Sequence, residues 1–127
     1  MKFRLYAIRV FCFDWTETLA FYRDQVGFEV FYADEAQGWA QFDLGDVYLG
    51  LERLSRDDPE ASTLVGRFVG TSVQVENIHE VVATLKSRGV PFSGEPEVQP
   101  WGGVLAHIQD PAGNVVTLMG SVAADQT

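Results

Sequence analysis

The sequence predicts an α+β fold in which two βαβββ modules form a curved mixed sheet with a concave cavity. Three observations support this prediction. Strand-like and helix-like apolar patterns follow the same order in each half of the chain. A polar, charged stretch around Pro59 separates the two halves. Near the end, Asp110-Pro111-Ala112-Gly113 has strong turn chemistry between apolar runs, which indicates a closing hairpin.

The first module is predicted over residues 3–54. Alternating apolar residues indicate a strand over residues 3–10. Asp14 is expected to cap a helix with Glu17 as its capping-box partner, and Gly27 is expected to end that helix. Three more strands are predicted over 28–33, 39–44 and 47–53.

Residues 55–67 are predicted as the linker, and residues 68–120 as the second module of a single domain spanning 1–127. The second module is expected to open with a strand over 68–75. Asn77 would then cap a helix that Gly89 ends, with Glu80 at the capping-box position. An irregular to extended stretch over 91–98 and the final hairpin complete the module.

Composition restricts the classes of partner. The formal charge of −9 argues against nucleic acid and anionic membranes, because both attract basic surfaces. No apolar stretch approaches the roughly 20 residues of a membrane helix. The one cysteine, Cys12, has no second cysteine for an internal disulfide. These features predict a cytoplasmic protein.

The loop Gln99-Pro100-Trp101-Gly102 places a large indole between residues that do not continue regular structure. Two interpretations of Trp101 are open. The indole is either a hydrophobic plug at the sheet edge or a stacking surface over the mouth of a cavity.

Three features together resemble the vicinal oxygen chelate superfamily: the run Arg9-Val10…Phe21-Tyr22…Val26-Gly27-Phe28, the duplicated βαβββ order, and Asp110-Pro111-Ala112-Gly113-Asn114. That superfamily includes glyoxalase I, extradiol dioxygenases, fosfomycin-modifying enzymes and the bleomycin resistance proteins. The resemblance covers nearly the whole chain and implies the glyoxalase/bleomycin resistance fold. It leaves the activity open, because this fold hosts many functions.

Enzymes of this superfamily usually hold a divalent metal with four His or Glu ligands. The resemblance assigns those places to Leu5, Gly50, Gly70 and Thr117. Leucine and glycine offer no donor, and a threonine hydroxyl alone is a poor ligand. A shift of two residues brings only Glu52 into range. We therefore expect neither the family metal nor another cofactor.

The Pro-Trp-Gly loop and the final turn resemble most closely those of the bleomycin resistance proteins, which are metal-free acidic dimers. The resemblance implies a homodimer that sequesters a small aromatic or cationic compound, with Trp101 stacking on it. That group often has Arg where this chain has Gly103. The alternative is an enzyme of the same superfamily, such as a lyase, isomerase, dioxygenase or transferase. It would use Arg9, Glu52 or His107, or a metal held by displaced ligands.

Further candidates follow from strand facing. Arg9 would either contact an anionic or carbonyl group of a ligand or pair with Glu52. His107 is either an acid–base group or a structural histidine. Trp39 is preferred over Phe42 as a cavity residue, because Phe42 alternates with Ala40 and Leu44 on the expected helix-packing face. The predicted ligand-binding residues are Trp101, Arg9, Trp39, Tyr48, Glu52, Gln74, His107 and Thr117, with no catalytic residue assigned.

Overall fold

The computed structural model of the protein describes residues 1–122. Its strands are β1 (Ala7–Cys12), β2 (Glu29–Asp34), β3 (Trp39–Asp43), β4 (Tyr48–Arg53), β5 (Ser72–Gln74), β6 (Glu97–Val98), β7 (Gly103–Gln109) and β8 (Val115–Ser121). Its α-helices are α1 (Trp15–Ala20), α2 (Ala61–Leu64) and α3 (Ile78–Ser87), and a π-helical segment, Phe21–Val26, continues α1.

The chain divides into two compact units. The first comprises Met1–Arg67 with Pro111–Asn114, and the second comprises Phe68–Asp110 and the chain from Val115 onward. Each unit contains one four-stranded mixed sheet with a helix. The α+β class and the duplicated order are therefore confirmed, while the single domain over 1–127 and the module limits stay predictions.

In the first unit the strand order is β1-β4-β3-β2, with β1 parallel to β4 and the other pairs antiparallel. An aromatic core fills the space between the sheet and the helix. Tyr22 and Phe42 are fully buried, with ring centroids 5.4 Å apart, and Phe28 stacks on Tyr22 at 5.7 Å. Phe42 thus lies on the helix-packing face, as its alternation predicts.

The first helix begins and ends as its sequence predicts. The carboxylate of Asp14 accepts a hydrogen bond from the Glu17 N–H at 3.0 Å. Gly27 ends the helix in the left-handed conformation, with φ +91°, and its N–H donates to the Tyr22 carbonyl. The switch to π-helical winding after Ala20 is not visible in the sequence.

In the second unit the strand order is β5-β8-β7-β6. The helix α3 buries an apolar stripe that includes Ile78 and Leu85. It approaches β8 closely at Gly120, where an added Cβ would lie 2.7 Å from the Cβ of Ile78. Gly89, with φ +81°, follows the helix as predicted.

Asn114 has a structural role in the first unit. Its side chain is almost fully buried. The amide nitrogen donates to the Phe11 carbonyl at 2.9 Å, and the amide oxygen accepts from the Gly66 N–H at 3.1 Å. One side chain therefore satisfies two backbone groups that are distant from it in sequence.

Two sequence-based strand boundaries are wrong. The strand predicted over 3–10 begins at Ala7, because its partner β4 begins at Tyr48. The strand predicted over 68–75 is limited to β5, after the left-handed Gly70. The predicted linker contains the short helix α2.

Asn77 is the N-cap residue of α3, as predicted, but the side-chain hydrogen bond of the predicted capping box with Glu80 is not formed. Asn77 precedes the helix with φ +53° and makes no side-chain capping hydrogen bond. Asparagine tolerates the left-handed region because its short polar side chain can bond locally. Its contribution at this helix start is therefore a backbone conformation.

Candidate functional site

Two of the predicted residues form an ion pair on the sheet face opposite the first helix. The register pairs Arg9 with Gly50 and Trp39 with Glu52, so these four residues share that face. Arg9 Nη1 lies 2.9 Å from Glu52 Oε1, and the two side chains are 56% and 32% exposed. The partly exposed pair leaves both groups accessible to a ligand, and their ligand contact stays a prediction.

The Trp39 indole starts a chain of polar side chains on the same face. Its ring lies against Gly50, where an added Cβ would clash with Cη2. Trp39 Nε1 donates to Gln41 Oε1 at 2.9 Å, and Gln41 Nε2 donates to the Tyr6 hydroxyl at 2.8 Å. Because an indole N–H can only donate, the hydrogen bonds run in one direction, from Trp39 to Gln41 to Tyr6. The Tyr6 oxygen therefore accepts, and its own proton can be donated onward.

Replacing Gln41 with leucine should lower the free energy of unfolding by about 1–3 kcal/mol, because the variant removes the oxygen that accepts from the Trp39 N–H. Gln41 is buried, so water cannot easily replace its amide. Urea unfolding would measure the loss. Gln37→Leu, at an exposed position of the β2–β3 turn, is the matched control. Equal stability of the two variants would contradict a stabilising role for the hydrogen bonds between Trp39, Gln41 and Tyr6.

Next to these hydrogen-bonded side chains, the first unit has a group of aromatic rings. The Tyr48 ring lies 5.3 Å from Tyr6 and 4.8 Å from Phe31, measured between centroids. Tyr6 and Phe31 are largely exposed. A cavity of about 400 Å³ is lined by Arg4, Leu5, Tyr6, Gly45, Asp46 and Tyr48. Of the predicted first-unit residues, Tyr48 is the one that lines this cavity.

Nearby on β2, the negative charge of Asp34 raises the pKa of the Tyr32 phenol. The Tyr32 hydroxyl also donates to the Asp34 carboxylate at 3.3 Å. Tyr32 therefore stays neutral at physiological pH and presents a hydrogen-bonding phenol beside the aromatic rings.

The second unit contains a groove of about 450 Å³ beside Trp101. It is lined by Gln74, Val75, Glu76, Trp101, Gly102, Gly103, Met119, Gly120 and Ser121. The Trp101 indole is 64% exposed, which favours a stacking surface over a buried plug. Glu76 is the acidic member, and no basic side chain is among these lining residues within the described chain. The groove can therefore stack a flat ring and attract a cation.

The loop that carries Trp101 has a defined turn. Gly102 adopts φ +92°, and its N–H donates to the Gln99 carbonyl at 2.9 Å. The Gln99 N–H donates to the Gly103 carbonyl at 2.7 Å. These backbone bonds fix the path of the loop into β7 and so place the Trp101 backbone beside the groove.

His107 and Thr117 form a separate pair on β7 and β8. The two residues face each other across the strands, and His107 Nδ1 lies 2.8 Å from Thr117 Oγ1. Neither lines the Trp101 groove. The contact gives one ring nitrogen of His107 a structural partner. Of the predicted second-unit residues, Gln74 and Trp101 share the groove.

Sequence reasoning missed several residues of these surfaces. Gln41 and Tyr6 complete the hydrogen-bond chain, while Glu76 and Met119 line the groove. The two-residue spacing of Trp39 and Gln41 signals a shared strand face. No comparable signal identifies Glu76, because it lies beyond the end of β5.

The residues at the family's metal positions do not fit a divalent cation. Leu5 and Gly70 each lie two residues before their strands, and Gly50 lies under the Trp39 indole. Thr117 bonds to His107, and Glu52 is already neutralised by Arg9. Within residues 1–122, no group of three or more His, Cys, Asp and Glu side chains could hold a metal ion. No helix in the same range is long and apolar enough to cross a membrane.

A family model described as the Glyoxalase/Bleomycin resistance protein/Dioxygenase superfamily matches residues 4–118. The chain belongs to this superfamily. Within it, the chain is 29% identical over 113 residues to a bleomycin resistance protein from Klebsiella pneumoniae, covering 84% of this chain and 83% of that protein. It is 25% identical over 125 residues to the uncharacterized protein YraH of Bacillus subtilis (strain 168), covering 91% and 96% of the two chains.

Two solved structures are similar to this chain in fold. TnmS3, an antibiotic binding protein from Streptomyces sp. CB03234, is 26% identical with a TM-score of 0.77, covering 94% of this chain and 97% of its own. A superfamily member from Sphaerobacter thermophilus has a TM-score of 0.79 at 24% identity, covering 95% and 99%. The second likeness concerns the fold alone.

Proposed function

We propose that this superfamily member binds and sequesters a small aromatic or cationic compound without using a metal. The observation that carries the proposal is the open indole of Trp101 at the wall of the 450 Å³ groove. An exposed tryptophan held by a fixed loop offers a large contact area at little entropic cost. Such a site fits a planar ligand better than an aliphatic one.

Charge supports the cationic part of the proposal. Glu76 lines the groove, and the whole chain carries a formal charge of −9. A cation close to an indole face and a carboxylate gains from both groups. The thioether of Met119 adds a polarisable, adaptable surface to the same wall.

The relatives support the same class of function. One is a bleomycin resistance protein and another is an antibiotic binding protein, each named so for its own ligand class. The proposal extends small-molecule binding to this chain and leaves the compound open. The homodimer and the cytoplasmic location that the sequence predicts belong to this proposal. The metal-free mode rests on the donor set, which offers no cluster of ligands within residues 1–122.

Calorimetric titration of the wild-type protein with proflavine, a flat tricyclic cation, tests the proposal. We expect saturable binding with one site per chain, quenching of tryptophan fluorescence, and the same affinity in EDTA as with added Zn²⁺ or Mg²⁺. A panel of other flat aromatic compounds, neutral and cationic, widens the search. Absence of saturable binding across the panel would contradict the proposal, and affinity that needs a divalent ion would contradict its metal-free part.

A further inference from the structure

The Trp101 indole lies against Gly103, two residues later in the chain. A Cβ added to Gly103 would lie 2.8 Å from Cε3 of the indole and even closer to Cζ3 and Cη2. Separations this short are not found between a real Cβ and a ring atom, so any side chain here displaces the indole. The benzo edge of Trp101 therefore occupies the space that a side chain would take.

The backbone itself does not require glycine at position 103. Gly103 begins β7, pairs with Ser121 on β8 and is not among the residues with positive φ. Its neighbour Gly102 is the opposite case: φ is +92°, yet an added Cβ would meet nothing within 4 Å. The two adjacent glycines thus serve different purposes. Gly102 permits the turn, and Gly103 makes room for the indole.

We infer that Gly103 is the specificity-determining residue of the Trp101 groove. Because Gly103 lacks a side chain, the indole lies low against β7 and turns its exposed face to the groove. A flat ring can then lie against that face, whereas a compact globular cation touches only part of it. The inference rests on the proposed function and names its ligand class as flat aromatic cations bound face-on.

The first unit provides an internal comparison. There the Trp39 indole lies on Gly50 in the same manner, since an added Cβ would clash with its ring. The Trp39 N–H donates to Gln41, and Trp39 is only partly exposed. Trp101 is the more open of the two rings. The same indole-on-glycine contact therefore leaves a larger stacking surface in the second unit.

The test compares Gly103→Ala with the wild type, using proflavine as the flat cation and 1-aminoadamantane as the globular one. We expect Gly103→Ala to weaken proflavine binding at least tenfold and aminoadamantane binding less than threefold. The melting temperature should stay equal or rise, because alanine suits a strand better than glycine. In protein labelled with 5-fluorotryptophan, the ¹⁹F resonance of Trp101 should shift while those of Trp15 and Trp39 do not.

Two further variants separate the causes. In a Trp101→Phe background the added methyl group has no benzo edge to displace, so Gly103→Ala should change proflavine affinity less than twofold. Gly102→Ala should instead lower the melting temperature, because it forces alanine into a left-handed conformation. An equal loss in the Trp101→Phe background would overturn the inference, even if Gly103→Ala were poorly folded.

The failure of this inference differs from the failure of the proposed function. If the wild type binds proflavine through Trp101 and Gly103→Ala binds it equally well, only the role of Gly103 is wrong. If the wild type binds neither probe, the inference fails, and the proposed function fails with it when the wider panel also gives no saturable binding. An unmoved Trp101 resonance in folded Gly103→Ala would also overturn the inference, because the indole would then not depend on Gly103.

Discussion

Trp101→Ala is expected to weaken binding of a flat aromatic cation about 30-fold, which corresponds to a loss of about 2 kcal/mol. Stacking and cation–π contacts together supply roughly this amount at a partly exposed site. The indole is 64% exposed, so its removal opens little of the core. The free energy of unfolding should therefore change by less than about 1 kcal/mol. Calorimetric titration and urea unfolding of the same preparations give both quantities.

The matched control for Trp101→Ala is Trp39→Ala, which removes the same side chain from the first unit. There the indole covers Gly50 and bonds to Gln41, so the variant should lose more stability than Trp101→Ala. A Trp101→Ala protein that binds proflavine as well as the wild type would contradict the proposed site. A Trp101→Ala protein that unfolds as readily as Trp39→Ala would indicate a plug at the sheet edge.

Phe42→Ala is expected to lower the free energy of unfolding by about 3–5 kcal/mol, the usual cost of emptying a buried phenylalanine site. Phe42 is fully buried, and its ring centroid lies 5.4 Å from Tyr22 and 6.2 Å from Phe28. Those rings are large and stack on each other, so they cannot collapse readily into the cavity. Urea unfolding followed by circular dichroism and by fluorescence measures the loss.

Phe31→Ala provides the comparison for Phe42→Ala on a strand of the same sheet. Phe31 is 59% exposed and touches Tyr48 at its ring, so its removal should cost less than about 1 kcal/mol. Equal losses from the two variants would contradict the assignment of the aromatic core to the helix-facing side of the sheet. A conservative Phe42→Leu variant should recover part of the loss, because it refills most of the volume.

The sequence predicts well those features that depend on local pattern. The alternation along β3 places Phe42 towards the helix and Trp39 on the other face, since strand side chains alternate strictly. Asp14 and Gly27 act at the helix ends as their residue types predict. These features need only a few neighbouring residues, so one stretch of chain contains all the information.

Features that depend on a distant partner are harder to predict. The extent of β1 is set by where β4 begins. The residues before Ala7 have a strand-like pattern, but the ladder with β4 starts only at Ala7 and Tyr48. Asn77 has the residue type of a cap but supplies a left-handed backbone. Neither the start of β1 nor the conformation of Asn77 can be predicted from neighbouring residues, because each depends on how the rest of the chain packs.

The candidate site shows the same division. The residue type of Trp101 and its loop predict an exposed indole or a plug, and only its surroundings favour the exposed one. The sequence leaves two roles open for Arg9, contact with a ligand or pairing with Glu52, and the structure places Arg9 Nη1 2.9 Å from Glu52 Oε1. The role of Gly103 requires the position of a ring two residues away, which no periodicity encodes.

The amide of Asn114 gives the fold a property that a simple duplication lacks. It belongs to the segment Pro111–Asn114, which joins the first unit from far beyond the main segment Met1–Arg67, and it satisfies the Phe11 carbonyl and the Gly66 N–H there. A fragment ending at residue 67 would leave both groups unpaired in a region that normally excludes water. The first half is therefore not a self-sufficient folding segment. We expect its packing to be completed only after residues 111–114 have been synthesised.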